Sequence, residues 1–324
     1  MDIKLKLALL VALLFAIMYG IIAGFGAALG AGGAASYLVL ALFFLLLQYL
    51  VSPYIVSAMM RVRWVSEREE PELHKMVEEL SAKACIPKPK VGISELSIPN
   101  AFAFGRTLRD GRVCVTRGLL RTLGRDELRA VLGHEISHIK NRDMIFITLL
   151  SAVPLALYWI AWSLMFRGMW GRREEASYAA LLGFVAFLLY FITNLLALWG
   201  SRLREYLADE GSVKLGNPPW HLATALYKIV RGSARSRPEE LRRIEGLRAF
   251  FLNDPAKACD EVRDLVQVDV DRSGTIDPWE LEELRRKRVR ISAAERMMEL
   301  LSSHPHTLKR IKRLSELSPG LFLR

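Results

Sequence analysis

The sequence predicts an α+β chain, predominantly α, in which a polar domain with a small β-sheet and one motif-bearing helix is joined to two transmembrane helical hairpins. Three observations predict it. Apolar runs lie in two pairs, at residues 5–29 and 34–60 and then at 144–166 and 178–199, and each reaches the roughly 20 residues that carry a helix across a bilayer. The polar stretch between the pairs holds short β-branched and aromatic runs set off by turn residues. That stretch ends on His134-Glu135-Ile136-Ser137-His138, an H-E-x-x-H pattern inside a helical-looking segment that begins near Arg125.

Composition supports the membrane assignment. The 324 residues are 52% hydrophobic with a mean hydropathy of +0.21, too apolar for an ordinary soluble protein. Any one of the four runs could be a buried core helix; four together make an integral membrane protein. The first run follows Met1-Asp2-Ile3-Lys4-Leu5-Lys6, is longer than a signal h-region and has no fitting small-residue cleavage site, so it reads as a retained signal anchor. Lys4 and Lys6, Arg61 and Arg63, and Arg202 and Arg204 fall on one side of the four spans. The positive-inside rule makes that side cytoplasmic, together with both termini and the polar domain. Arg167, Arg172 and Arg173 in the loop of the second hairpin pull the other way, offset only by Glu174 and Glu175. The net charge of +11 does not indicate nucleic acid. Basic residues are interleaved with acids and no aromatic–basic platform is present, so the excess suits anionic lipid. Cys85, Cys114 and Cys259 are far apart and form no disulfide framework or thiolate zinc site, which suits a reducing compartment.

Four regions follow in order: a membrane hairpin (1–60) turning at Gly30–Gly33, the first half of the polar domain (61–143), a second hairpin (144–200), and a mostly helical second half (201–324). In the first half a Glu- and Leu-rich helix (71–84) leads to a strand at 89–93, a second strand at 100–105 and a third at 112–116. The Asp110-Gly111 pair between the last two is a hairpin signal. Residues 231–238 read as a linker, and no internal repeat is present.

Residues four apart on a helix share a face, so His134 and His138 can reach one ion while Glu135 lies beside a water bound to it. This is what a zinc hydrolase needs: neutral nitrogen ligands and a carboxylate base. The pattern alone is also compatible with two surface histidines. A third ligand is required, and His74, His221, His304 and His306 are the only histidines left. Glu205 is the better candidate by ligand count, since two His and one Glu form a known catalytic set; read alone, it is equally a helix-surface acid. Asp209, one turn on, can accept the second ring N–H of a liganding histidine. His138 precedes the third apolar run, and Glu205 follows the fourth, by about six residues, or ~9 Å of helix. A metal held there would sit just above the membrane.

Beyond these residues the chain resembles a family. Residues 134–143 (HEISHIKNRD), 100–105 (NAFAFG), 115–120 (VTRGLL), 204–209 (REYLAD) and His304-Pro305 with Arg310-Ile311 are similar to the HtpX-type membrane metalloproteases. These are Glu-liganded zincins related to the CAAX prenyl proteases, and the likeness covers most of the chain except about 232–290. The resemblance implies a zincin-type domain with one Zn²⁺ held by His134, His138 and Glu205. It implies Glu135 as general base, Asp209 as orienting residue, and His304 as donor to the developing oxyanion. Asn100, Ala101 and Phe102 would form an edge strand that pairs with extended substrate. His304 can also be read as a residue preceding a helix that starts at Pro305. The implied activity is hydrolysis of unfolded or membrane polypeptides, in quality control. The alternatives are a prenyl-protein-type maturation protease, which typically has more than four spans, and a non-enzymatic calcium-responsive scaffold, which would lack a ligand or the base.

One motif lies outside the resemblance. Asp269, Asp271, Ser273, Asp277 and Glu280 stand at positions 1, 3, 5, 9 and 12 of a twelve-residue loop. Gly274 is at the turn and the Thr275 carbonyl at position 7, which is an EF-hand pattern for Ca²⁺. Helical sequence flanks it at 256–266 and 279–288. No second such loop exists to pair with it, and an Asp-rich turn opening a helix is the simpler alternative.

Overall fold

The computed structural model describes residues 46, 50, 51, 53–170, 173–243, 251, 252, 255, 257–289 and 291–317. Most of the first expected hairpin lies outside these residues; of it, 53–59 are helical. The chain divides into two compact units, one containing residues 145–203 and the other residues 52–144 with 204–324.

In the second unit four strands, β1 (Val62–Trp64), β2 (Lys90–Ser94), β3 (Ala101–Phe104) and β4 (Arg112–Thr116), form one sheet in the order β1-β2-β4-β3. β2 and β4 are parallel, with Gly92 opposite Cys114, and both outer pairs are antiparallel. The expected hairpin is present: a single 3₁₀ turn, Leu108–Asp110, returns β3 to β4. β1 was not anticipated, since three residues carry too little alternation to register. β2 and β4 have apolar centres (Val91-Gly92-Ile93 and Val113-Cys114-Val115) and are buried throughout except at Lys90, as central strands are. β3 lies at the sheet edge.

Helix α1 (Pro71–Ala84) starts with proline at its first turn and ends on Cys85 in the left-handed region (φ 56°), where a proline first turn is favoured and a chain reversal needed. Thr116 caps α2 (Arg117–Thr122) by accepting from the Leu119 N–H. The motif helix α3 (Arg125–Lys140) opens with the Glu127 carboxylate accepting from the Gly124 N–H at 2.8 Å. It packs against α1 and against α6 (Pro219–Ala234) through Leu128, Val131, Leu132 and Ile136, which are 8% exposed or less. The stretch expected as a linker is shorter than read. α6 continues to Ala234 and α7 (Pro238–Arg243) begins four residues later, because the apolar face of α6 (Leu222, Leu226, Ile229, Val230) is buried in the core and overrides the polar tail.

The remaining helices are α4 (Asp143–Trp170), α5 (Arg173–Lys214), α8 (Ala258–Leu265), α9 (Pro278–Arg286), α10 (Ala293–Leu300) and α11 (Thr307–Glu316). α4 and α5 contain the third and fourth apolar runs and are the two helices long and apolar enough to cross a membrane among the described residues. Within the first unit they meet through Leu150, Val153 and Leu157 against Leu189, Tyr190 and Leu196. Trp159, Trp162, Phe184, Phe191 and Ile192 are exposed. Helices apolar on every side are what lipid solvates.

In the second unit the end of α5 lies close against α3. A Cβ on Gly133 would come within 2.3 Å of Asn217 Nδ2, and one on Gly211 within 2.3 Å of Ser137 Oγ. Ser212 Oγ donates to the Ala130 carbonyl at 2.6 Å, replacing bulk with a hydrogen bond at the crossing. Gly211→Ala should therefore lower stability by about 1–3 kcal/mol through overpacking, read as a fall in thermal midpoint in detergent, whereas Ala at exposed Lys214 should leave it unchanged.

Candidate active site

His134 and His138 project from the same face of α3, and Glu205 and Asp209 from the same face of α5. His134 is fully buried, Glu135 3% exposed, Glu205 7% and Asp209 1%. The three expected ligand atoms lie within 4.8 Å of one another. His134 Nε2 is 3.0 Å from His138 Nε2 and 3.6 Å from Glu205 Oε2, and His138 Nε2 is 3.5 Å from Glu205 Oε1.

The outer ring nitrogens fix the tautomers. His134 Nδ1 is 2.9 Å from Asp209 Oδ1, and His138 Nδ1 is 2.6 Å from Asp143 Oδ2. An ionised carboxylate only accepts, so each Nδ1 carries the proton and each Nε2 keeps a lone pair. With both rings neutral, two lone pairs face each other at 3.0 Å, an arrangement that a cation between them relieves. Donors at 2.0–2.2 Å from a tetrahedral ion are about 3.3 Å apart, which matches the observed separations. Glu205 Oε2 is buried and accepts no hydrogen bond. Among Glu135, Asp143, Glu205 and Asp209 there are four buried carboxylates, faced by the guanidiniums of Arg204 and Arg310. These carboxylates outnumber the guanidiniums that face them, which leaves a site that favours a cation. The donor set, the charge and the spacing all fit zinc.

Two orienting residues escaped the sequence reading. Asp143 begins α4, five residues after His138. Asn141 ends α3 and Arg142 takes a left-handed φ of 57°, which turns the chain so that Asp143 faces back to His138. Arg204 ion-pairs with Asp143 and donates to the Asn141 carbonyl at 3.1 Å. The second is Arg310 on α11, 1% exposed. Its Nε and Nη2 donate to the two oxygens of Asp209 at 2.9 and 2.7 Å, and Nη1 donates to the Leu252 carbonyl at 2.7 Å. Nη1 also lies 3.2 Å from Glu205. Only the local pattern around His304 hinted at Arg310; nothing local marks it as a buried ion-pair partner 101 residues from Asp209.

Burial pushes the Glu135 carboxyl above the usual range, and the charge of Glu205 adds to this, while His134, His138 and Arg310 oppose it. A carboxylate with raised proton affinity suits a base that must hold a proton briefly. His304 lies in the turn before α11, with Nδ1 3.6 Å from Glu205 Oε1 and no hydrogen bond to either ring nitrogen. The alternative reading, a helix starting at Pro305, fails: α11 starts at Thr307, and His306 is the residue whose ring accepts from the Leu308 N–H.

The strand expected at Asn100–Gly105 runs from Ala101 to Phe104. Asn100 is fully buried, and its Oδ1 accepts from the Leu252 N–H at 2.8 Å, so its side chain tethers the segment whose carbonyl Arg310 grips. Phe102 is 3% exposed and packs with Phe104, Cys114 and Phe251. Among the described residues β3 pairs with β4 alone, and it packs beside α3.

Comparisons with known proteins give the family. The model of peptidase family M48 matches residues 67–318. The chain belongs to peptidase family M48. This M48 chain is 54% identical over 219 residues to a "Protease HtpX homolog" of Methanothermobacter thermautotrophicus, a match covering 67% of this chain and 82% of that one. It is 37% identical over 291 residues to a namesake of Pyrococcus furiosus, covering 89% and 87%. Its fold is also similar to the crystal structure of S. mikatae Ste24p, at TM-score 0.53 and 17% identity, over 94% of this chain and 62% of that one. The family is in general zinc-dependent.

Arg310→Leu should leave Asp209 as an uncompensated buried charge and cost roughly 3–5 kcal/mol, measured by thermal or denaturant unfolding. Adding Asp209→Asn should recover part of the loss. A second expectation concerns Glu261 on α8, whose carboxyl is pushed up to about 7 by burial. A carboxyl whose folded pKa exceeds its unfolded value stabilises the fold at low pH. That contribution disappears as pH rises from 4.5 to 7, and is worth about 3 kcal/mol at most. Glu261→Gln should flatten the stability profile across that window.

Proposed function

We propose that this chain is an integral-membrane zinc endopeptidase that hydrolyses peptide bonds through an activated water. The observation that carries this reading is the facing pair of imidazole lone pairs on His134 and His138, each held by a carboxylate behind it and closed by Glu205. Zinc held by these three residues would supply a polarised carbonyl and a water of lowered pKa.

The chain's own residues do the rest. Glu135 takes a proton from the attacking water and passes it to the leaving amine. His304, whose Nε2 has no hydrogen-bond partner, donates to the oxyanion. Asp209 and Asp143 hold the two rings in register, and Arg310 and Arg204 hold the carboxylates. An extended substrate adds to the outer edge of β3 by β-augmentation, which aligns the scissile bond without demanding a particular sequence. Backbone pairing of that kind admits only unfolded chain. Together with the apolar lengths of α4 and α5, this favours misfolded membrane proteins as substrates and quality control as the role, with the catalytic domain on the cytoplasmic side.

The test is zinc content and cleavage of casein by purified protein in detergent. Wild type should bind zinc near one per chain and cleave. Glu135→Gln should keep its zinc and lose at least 10³-fold in kcat, in line with loss of a general base and its electrostatic role. Glu205→Gln should lose zinc. Cleavage unchanged in Glu135→Gln would refute the mechanism. Cleavage restricted to a prenylated C-terminal peptide would replace quality control with maturation.

A further inference from the structure

The loop from Asp269 to Glu280 joins α8 to α9 and plays no part in the site described above. We propose that it binds one calcium ion, and that the ion braces the segment from His304 to Arg310. Carboxylate oxygens of Asp269, Asp271 and Glu280 lie within 4.8 Å of one another. Gly274, at the sixth position, takes φ 86°, the turn such a loop requires. These features alone describe an acidic turn. The deciding observation is Asp269. It is 4% exposed, and its Oδ1 is buried with no hydrogen-bond partner, while Oδ2 accepts from Tyr227 at 2.5 Å and Gly274 N–H at 3.2 Å. A carboxylate oxygen buried and unpaired costs several kcal/mol unless a cation meets it. Glu280, 1% exposed, reaches across the loop from α9 to accept from the N–H groups of Val270 and Asp277 at 2.7 and 2.9 Å. A carboxylate has about four lone-pair sites, so both its oxygens retain capacity for an ion.

Ser273 Oγ and the Thr275 carbonyl lie 3.3 Å apart on the same loop, and Asp277 stands at the position that commonly acts through water. The donors are all oxygen and include four carboxylates. That set suits calcium better than zinc, which takes nitrogen and sulfur, or magnesium, which demands a stricter octahedron. A lone EF-hand loop lacks the neighbouring loop that normally steadies it. Here Thr224 on α6 takes that place: its Oγ1 accepts from the Ile276 N–H at 2.8 Å and donates to the Ile276 carbonyl at 3.2 Å. Tyr227, on the same helix, holds Asp269 and in turn accepts from Arg231 at 3.0 Å.

The consequence for the rest of the domain follows from packing. α8, which enters the loop, lies against α6 and α11. Its Asp264 is 3.5 Å from His306 Nε2. α9, which leaves the loop, also packs on α11. Both loop helices therefore pack on the element that carries Arg310, α8 near its start at His306 and α9 at Lys312.

The experiment uses full-length, zinc-loaded protein in detergent with calcium removed, titrated with CaCl₂ by calorimetry. Hydrogen exchange of residues 301–317 and the thermal midpoint are followed in parallel. None of these readouts requires proteolysis, so a failed peptidase reading would leave them interpretable. Expected are one calcium per chain with micromolar to millimolar affinity, a thermal midpoint raised by several degrees at saturation, and slower exchange in 301–317. Asp271→Asn, at an exposed position that folding does not need, and Glu280→Gln should each weaken binding at least tenfold. No uptake at millimolar calcium, or equal uptake by wild type and Asp271→Asn, overturns the site. An equal response to magnesium overturns the choice of ion. Uptake with unchanged exchange in 301–317 overturns the bracing.

Discussion

The contact on which the rest of the site depends is the buried bidentate pair between Arg310 and Asp209. Asp209 can fix the tautomer of His134 only while it stays ionised, and an ionised carboxylate at 1% exposure is sustained only by a fully desolvated partner. Arg310 supplies that partner, and the charges of Asp209 and Glu205 outweigh burial and keep its own charge in place. Another N–H of the guanidinium goes to the Leu252 carbonyl, whose amide is held in turn by Asn100 at the start of β3. One chain of polar contacts thus runs from the edge strand, through Leu252 and Arg310, to the ring of His134. The strand proposed to align substrate and the ring proposed to hold metal are tied by the same side chain.

The second constraint is steric. α3 and α5 approach closely because Gly133, Ser137, Gly211 and Ser212 meet at their crossing. That approach sets the separation of His134 and His138 from Glu205. Small residues there serve the metal spacing as much as the packing, since a larger side chain would push apart the donor atoms that now lie 3.5 and 3.6 Å from one another.

Much of this was legible in the sequence because it is local. H-E-x-x-H and the twelve-residue acidic loop are readable from spacing along a single helix or loop, whereas R-E-Y-L-A-D stood out only through ligand count and the family resemblance. α1, β4 and the apolar helices α4 and α5 announce themselves by periodicity, by a turn or by sheer length. Asp143 and Arg310 were not legible as orienting groups. The role of Asp143 depends on a positive φ at Arg142 that turns the chain back, and the role of Arg310 on a partner 101 residues away. The supposed linker at 231–238 was misjudged because polar residues hide the tail of a helix whose opposite face is buried.

The sequence by itself determined which groups have the right chemistry: two imidazoles and a base one helical turn in extent, an acid on a second helix, an oxygen-rich loop, and helices that lipid would solvate. Those properties follow from residue type and short-range periodicity, which survive without knowledge of the fold. Only the tertiary structure decided how they are used. It determined which carboxylate stands behind which histidine, that Asn100 serves as a tether as well as a strand start, and that Thr224 supports a solitary loop. These outcomes depend on burial and on pairings far apart in the chain, where the cost of leaving a charge or a polar atom unpaired selects one arrangement.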